Sequence, residues 1–311
     1  MLDNIPKISV LVITYNQEDV ISRAIESLLS QKDYIYEICV SDDCSNDRTW
    51  EILQDYSNQN PGLFVLNRNE PNLGIFENIE KSWTMPTGDI VSTLAGDDAC
   101  GEGWFKRVVN YLKKENIDYK NELFCIYGDY IGVAPNGKLL YHSNNRVLSN
   151  VKTFSLALRG IVSNRGCCYG IKVHNKFVRA SQGRSHIAES VLDRQMQLFT
   201  KTNYYIPQVA NIYYTGIGAS TSITNYDTYR ERKEINPYLI KILQPYGYTP
   251  TKSDLRYMAY EASFMDFLYS KSLINCLVLL YRWLLSYDSQ IGIKSLNLPY
   301  VFSHVKKLFI K

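Results

Sequence analysis

Polar and acidic side chains follow three apolar segments of this sequence, at the points where those segments end. Residues 8–13 are followed by Thr14 and Tyr15, residues 35–40 by Asp42, and residues 90–94 by Asp97 and Asp98. In open α/β sheets the carboxyl ends of parallel strands form the ligand crevice, so these side chains are predicted to meet at one edge. Carboxylates at such an edge suit a divalent cation that carries phosphate oxygens. The pattern therefore indicates a phosphate-bearing ligand together with Mn²⁺ or Mg²⁺.

Each acidic cluster also has a simpler explanation. Asp97 and Asp98 could cap the positive end of a following helix, which is a common position for Asp. Residues 42–49 could be a loop of Asx and Ser turns, with Asp47 and Thr49 serving the start of a helix even if Asp42 binds ligand. No glycine-rich phosphate loop is present, which argues against a Rossmann dehydrogenase and a P-loop NTPase.

Alternation of strand-like and helix-like patterns predicts a mostly parallel sheet flanked by helices. Helices are expected over residues 18–30, 50–56, 76–83, 103–114 and 187–201, and a further strand at 64–66. A hairpin is expected within 123–143, and short strands at 167–173, 204–206 and 212–214. From residue 227 onward the pattern is helical. We predict a main domain over 1–222, with halves 1–100 and 101–222, and a C-terminal helical region over 223–311.

Composition is that of a globular α/β protein. The 311 residues are 45% hydrophobic and 21% charged, and the net charge of +3 argues against a nucleic-acid partner. Seven cysteines without a C-x-x-C pair are expected to be free thiols in a reducing cytosol. The longest apolar run, residues 273–285, is shorter than a membrane-spanning helix and contains Arg282.

Several motifs together resemble the family 2 glycosyltransferases, which have the GT-A fold. The matching segments are residues 8–16, residues 42–49 (the family's D-D-x-S-x-D-x-T), the turn 72–74, the strand entry 87–90 and residues 94–98. The resemblance implies that Thr14, Tyr15 and Glu18 line a nucleotide pocket and that Asp42 contacts uracil. It also implies that Asp97, the second acid of the family's D-x-D, binds the metal with Asp98 beside it. The first acid of that motif is replaced by Ala95, which puts strict metal dependence in doubt.

Inverting members of the family use a carboxylate as general base for the acceptor hydroxyl. Residues 192–199 resemble the family's E-D-R-x-L-x-L segment, which puts the base at Asp193 with Leu192 in place of the usual Glu. The rival alignment makes Glu189 the base. We favour Asp193, because a base needs both reach and a following helix that orients it. Both acids could also simply occupy a helix N-terminus.

The resemblance implies a metal-dependent inverting hexosyltransferase that moves a sugar from a UDP-sugar to a saccharide or lipid-linked acceptor, in capsule, O-antigen or other surface-polysaccharide synthesis. A cytoplasmic location with peripheral contact on the inner face of the membrane is expected, since residues 273–285 and the basic end 306–311 could form a membrane-surface face. The alternative is a buried helix and an exposed tail. Two other functions are a catalytically inactive nucleotide-sugar-binding homologue and a nucleotidyltransferase, the second disfavoured by the absence of a basic glycine-rich loop.

Overall fold

The computed structural model describes residues 5–143, 165–179, 198–216, 249–270 and 273–286, with isolated positions between 192 and 196 and between 234 and 247. The elements are β1 (Ile8–Thr14), α1 (Ile21–Leu29), β2 (Glu37–Asp42), α2 (Thr49–Gln59), β3 (Phe64–Arg68), α3 (Ile75–Ser82), β4 (Ile90–Ala95), β5 (Ala99–Cys100), α4 (Trp104–Lys114), β6 (Phe124–Val133), β7 (Leu139–His142), β8 (Cys168–Gly170), α5 (Ile171–His174), β9 (Thr202–Tyr214), α6 (Lys252–Ser270) and α7 (Leu273–Leu285). Glu189 and Asp193 lie outside the described residues.

Within the described part of the chain, nine strands form one mixed sheet. Its order is β3-β2-β1-β4-β8-β6-β9-β5, with β7 paired to β6. Strands β3, β2, β1 and β4 run parallel to one another, as predicted for the first half of the sequence. The strands of the second half pair in both orientations. Strand β8 is antiparallel to β4 and β6, whereas β9 is parallel to β6. The α/β fold class is confirmed, and the parallel part of the sheet is the part that carries the candidate site.

The core forms where helices cover the parallel strands. Every residue of β1 except Ile13 is buried, as expected for a strand with both faces covered. The helix α1 buries four apolar residues at the spacing of one helix face, namely Ile21, Ala24, Ile25 and Leu28. The predicted helices over 18–30, 50–56, 76–83 and 103–114 are confirmed as α1 to α4, and the hairpin within 123–143 as β6 and β7.

The predicted strands at 204–206 and 212–214 are confirmed, but they are parts of one longer strand, β9, which runs through Pro207. The pairing of β9 with β6 shifts register between Tyr127 and Asp129, so Pro207 lies where the ladder is interrupted and its missing amide costs little. Residues 167–173 are a strand only over β8, and α5 follows at once.

The chain divides into two compact units. The first comprises residues 1–149, 164–188 and 199–223 and contains the whole sheet; the second comprises 150–163, 189–198 and 224–311. In the second unit α6 and α7 pack through Tyr257, Tyr260, Phe264 and Leu279. No helix among the described residues is long and apolar enough to cross a membrane. The predicted boundary at residue 222 stays a prediction.

Candidate functional site

Three strand ends meet at the carboxyl edge of the parallel sheet. In the β1–β2 pairing Thr14 lies opposite Asp42, and in the β1–β4 pairing Ile13 lies opposite Ala95. The segments that follow these strands, which carry the predicted site residues, therefore begin at the same edge. This is the position at which open α/β sheets bind ligands.

The loops after β1 and β2 are joined by hydrogen bonds in both directions. The amide of Asn16 donates to Ser45 Oγ (2.9 Å), and the amide of Asn46 donates to Asn16 Oδ1 (2.8 Å). Asn16 adopts a positive φ of 49°, which Asn tolerates better than most residues. The two loops thus form one preorganised surface.

Two predicted pocket residues, Thr14 and Glu18, are engaged in holding these loops. The Thr14 hydroxyl donates to Gln17 Oε1 (2.7 Å), and Glu18 Oε2 accepts the amide of Arg48 (2.9 Å). Asp47 accepts the amides of Glu18 and Thr49 (both 3.0 Å), so its predicted role at the start of α2 is confirmed. Tyr15, by contrast, is 44% exposed at this edge.

Asp42 is fully buried at the end of β2. Its carboxylate accepts both the hydroxyl and the amide of Ser45, and Arg68 Nε lies 3.5 Å from Oδ2. Burial raises the pKa of Asp42, while the Ser45 hydrogen bonds and the Arg68 charge act in the opposite direction. Three donors thus face the Asp42 carboxylate, and its side chain has no exposed surface.

Asp43 has a different role from its neighbour. Its buried carboxylate accepts Asn69 Nδ2 (2.8 Å) and the backbone amides of Leu73 (2.9 Å) and Gly74 (2.8 Å). The Asn72 side chain returns a hydrogen bond to the Asp43 carbonyl (2.6 Å). Asp43 therefore fixes the turn that precedes α3, which the sequence pattern alone did not reveal.

Asp98 is buried and is bound by groups from the second half of the sheet. Arg165 Nη1 lies 3.3 Å from Oδ2, and the amide of Tyr214 donates to Oδ1 (3.3 Å). Burial raises the pKa of Asp98 to about 7, although the Arg165 charge opposes the rise, and the carboxylate of Asp97 adds to it. Asp97 is half-buried, and its carbonyl accepts Arg23 Nη2 (2.5 Å).

Two arginines beside these acids were missed at the sequence level. Arg165 stacks on the Tyr213 ring, 4.2 Å from its centroid, and Arg23 stacks on the Tyr214 ring at 3.5 Å. Because neither arginine belongs to a recognisable motif and both contacts join residues distant in sequence, no sequence pattern pointed to them. Arg23 thus places positive charge beside Asp97, and Arg165 places it beside Asp98.

A resident metal would have few protein ligands here. Among the described positions, no group of three or more His, Cys, Asp and Glu side chains is arranged around a common point. A nucleotide-bound Mg²⁺ commonly uses only one or two carboxylates, with phosphate oxygens and water completing its shell. The donor set around Asp97 fits a cation of that kind, one brought together with the phosphates of a nucleotide.

Sequence comparisons match the part of the chain that forms this edge. The glycosyl transferase family 2 model matches residues 9–145. An uncharacterised glycosyltransferase of Haemophilus influenzae is 29% identical over 132 residues, 42% of this chain and 39% of that protein. Hyaluronan synthase of Pasteurella multocida is 26% identical over 144 residues, 46% of this chain and 14% of that protein. The alignments thus span well under half of these relatives.

A solved structure shares the fold over a longer stretch. The crystal structure of Staphylococcus aureus TarS residues 1–349 in complex with UDP-GlcNAc superposes with a TM-score of 0.60. The match covers 89% of this chain and 79% of TarS 1–349 at 17% identity, which establishes the likeness of fold alone. Residues 9–145 thus match glycosyl transferase family 2, and the chain as a whole shares the GT-A-type fold of TarS 1–349.

Proposed function

We propose that this protein transfers a sugar from a UDP-sugar to an acceptor hydroxyl, with inversion, in the synthesis of a surface polysaccharide. The observation that carries the proposal is the shared carboxyl edge of β2, β1 and β4, from which the joined loops and the segments with Asp42 and Asp97 begin. Hyaluronan synthase among the relatives supports a polysaccharide product, and the UDP-GlcNAc complex of TarS supports a uridine donor.

The nucleotide would bind over the joined loops. Tyr15 is exposed at this edge and offers a ring against which a base can stack. Asp42 is oriented by Ser45 and is the proposed acceptor for the N–H of uracil, while Thr14 and Glu18 hold the loops that line the pocket. This contact would disfavour cytosine, because its N3 carries no hydrogen to donate.

Asp97 is the residue that would hold Mn²⁺ or Mg²⁺. When bound, such a cation neutralises charge on the diphosphate leaving group. The contacts of Asp98 with Arg165 and Tyr214 favour a positioning role for Asp98 instead of metal ligation. With Ala95 in place of the first acid, the cation would depend on the donor's phosphates for much of its binding.

The base that takes the acceptor proton is proposed to be Asp193, with Glu189 as the alternative. Its action would leave a nucleophilic oxygen to attack the anomeric carbon from the face opposite the leaving UDP. The test is UDP release from a panel of UDP-sugars with oligosaccharide acceptors. Asp193→Asn is expected to lower turnover at least about a hundredfold with unchanged UDP affinity, in line with the usual contribution of a general base.

Ala95 also favours a second candidate, an inactive nucleotide-sugar-binding homologue. The same assay separates the two functions. An inactive homologue would bind UDP, but neither the wild type nor the variants would show turnover. The transferase shows turnover in the wild type, and either Asp193→Asn or Glu189→Gln abolishes it.

The helix α7 supports a peripheral membrane contact. Its outward stripe is apolar at helical spacing, with Ile274, Leu277, Tyr281 and Leu284 each at least 60% exposed. Arg282 does not interrupt the stripe, because its guanidinium donates to Ser263 Oγ (2.7 Å) on α6. We propose that this stripe lies on the cytoplasmic membrane surface near a lipid-linked acceptor.

A further inference from the structure

The ion pair of Asp98 and Arg165 lies directly after Asp97 in the chain and brings an arginine to the candidate site. Residues 213–222 themselves contain no Arg or His. Arg165 comes from the loop before β8. Its guanidinium lies over the ring of Tyr213, near the end of β9.

Arg165 is held from several directions. Its Nη1 forms an ion pair with Asp98 Oδ2, and the Tyr213 ring packs against the guanidinium. The next residue, Gly166, has φ of +66°, and a Cβ at this position would lie 2.8 Å from the Ala210 carbonyl oxygen. The backbone at Gly166 therefore packs directly on β9. This contact fixes the position of the neighbouring Arg165 backbone, from which the side chain extends.

The surroundings of Arg165 suit an anion. Its side chain remains 25% exposed, whereas that of Asp98 is 2% exposed, so the acid is enclosed and the guanidinium is the accessible member of the pair. A planar guanidinium matches two phosphoryl oxygens, and its binding is strengthened when one face is shielded from water by a ring. The adjacent Asp97 is where the cation of the same diphosphate is proposed to bind.

We propose that Arg165 is a further donor-binding residue of this protein, contacting the diphosphate of the UDP-sugar, and that Asp98 and Tyr213 position it. The inference rests on the proposed function, because it presumes a uridine diphosphate donor. Asp98 thereby has a role in the site without being a metal ligand. We give Arg23 a structural role instead, because its guanidinium donates to the backbone carbonyl of Asp97.

The test is calorimetric titration of the full chain with UDP and, separately, UMP, in the presence of Mn²⁺. Arg165→Gln is expected to weaken UDP binding about tenfold or more, while UMP binding changes less than about twofold, because UMP has no diphosphate for the guanidinium to bind. Arg165→Lys keeps a charge beside Asp98 but loses the planar fork, and it is expected to fall between the wild type and Arg165→Gln. Arg107→Gln, an exposed arginine on α4, is the matched control and should bind both nucleotides normally.

The outcomes separate the two proposals. If the wild type binds UDP and both Arg165 variants bind it equally well, the role of Arg165 is refuted. It is equally refuted if the variants lose UDP and UMP affinity in parallel, because that pattern reports a structural role. If the wild type binds neither nucleotide, the proposed function fails before Arg165 is tested.

Discussion

The carboxylate of Asp43 accepts the backbone amide of Gly74 at 2.8 Å, which ties the end of β2 to the turn before α3. The same carboxylate accepts the amide of Leu73, so two consecutive backbone donors are satisfied by one buried acid. A buried donor without a partner costs about 1–3 kcal/mol. This acid therefore contributes to the site by fixing the loop next to Asp42.

Replacing Asp43 should destabilise the protein. Asp43→Asn places an amide N–H₂ group against backbone donors, and we expect the free energy of unfolding to fall by about 3 kcal/mol. Urea unfolding measures the change. Asp55→Asn, an exposed acid on α2, should stay within about 0.5 kcal/mol of the wild type. Equal stability of Asp43→Asn and the wild type would show that the hydrogen bonds of Asp43 are not what fixes this loop.

Restoring the missing acid should strengthen metal binding. Ala95→Asp adds a second carboxylate near Asp97, and ligand charge sets much of the affinity of such sites for divalent ions, so the apparent affinity for Mn²⁺ in the presence of UDP should rise about tenfold. Ala95→Asn adds similar volume without charge and should leave the affinity near that of the wild type. The measurement is Mn²⁺ titration at saturating UDP. An unchanged affinity in Ala95→Asp would contradict a metal position at Asp97.

Asp98 should make stability depend on pH near neutrality. Its pKa is raised from 3.8 to about 7 in the folded protein, so the folded state holds a proton that the unfolded chain releases between these values. The stabilising contribution is complete below about pH 4 and is lost as the pH rises to about 7. Between pH 5 and 7 the free energy of unfolding should therefore fall more steeply in the wild type than in Asp98→Asn, by up to about 1.4 kcal/mol per pH unit. Parallel pH profiles would rule out a raised pKa of Asp98.

The exposed stripe of α7 should bind anionic membranes. The double variant Leu277→Gln with Leu284→Gln removes apolar area from the stripe and is expected to reduce sedimentation with phosphatidylglycerol vesicles at least about fivefold, because insertion scales with buried apolar area. Leu139→Gln with Leu140→Gln removes two exposed leucines from β7 and serves as the matched control. If the wild type stays in the supernatant, or if both double variants lose binding equally, the α7 stripe is not a membrane contact.

The parallel strands and their helices could be predicted because their information is local. Apolar runs such as residues 8–13 and the helical spacing of Ile21, Ala24, Ile25 and Leu28 define elements within short windows. At β9 such windows predicted two short strands where the structure has one. A register shift in the pairing with β6 accommodates Pro207 within this strand, and the shift depends on residues more than seventy positions away in the sequence.

The candidate site was predictable only in part for the same reason. Motif spacing located Asp42 and Asp97 at strand ends, and the structure brings those strand ends to one edge. Spacing could not reveal what the side chains contact. Thr14 and Glu18 hold loops, and Asp98 pairs with Arg165, which comes from a segment without a motif of its own.

The central claim is that the edge formed by β2, β1 and β4 binds a uridine diphosphate donor. The most direct test is the melting temperature of the protein with UDP, GDP, CMP and dTDP, each with and without Mn²⁺, since a ligand that binds the folded state raises it. We predict that UDP raises the melting temperature most and that Mn²⁺ increases the shift. No shift with any nucleotide, or a larger shift with GDP or CMP than with UDP, would contradict the claim.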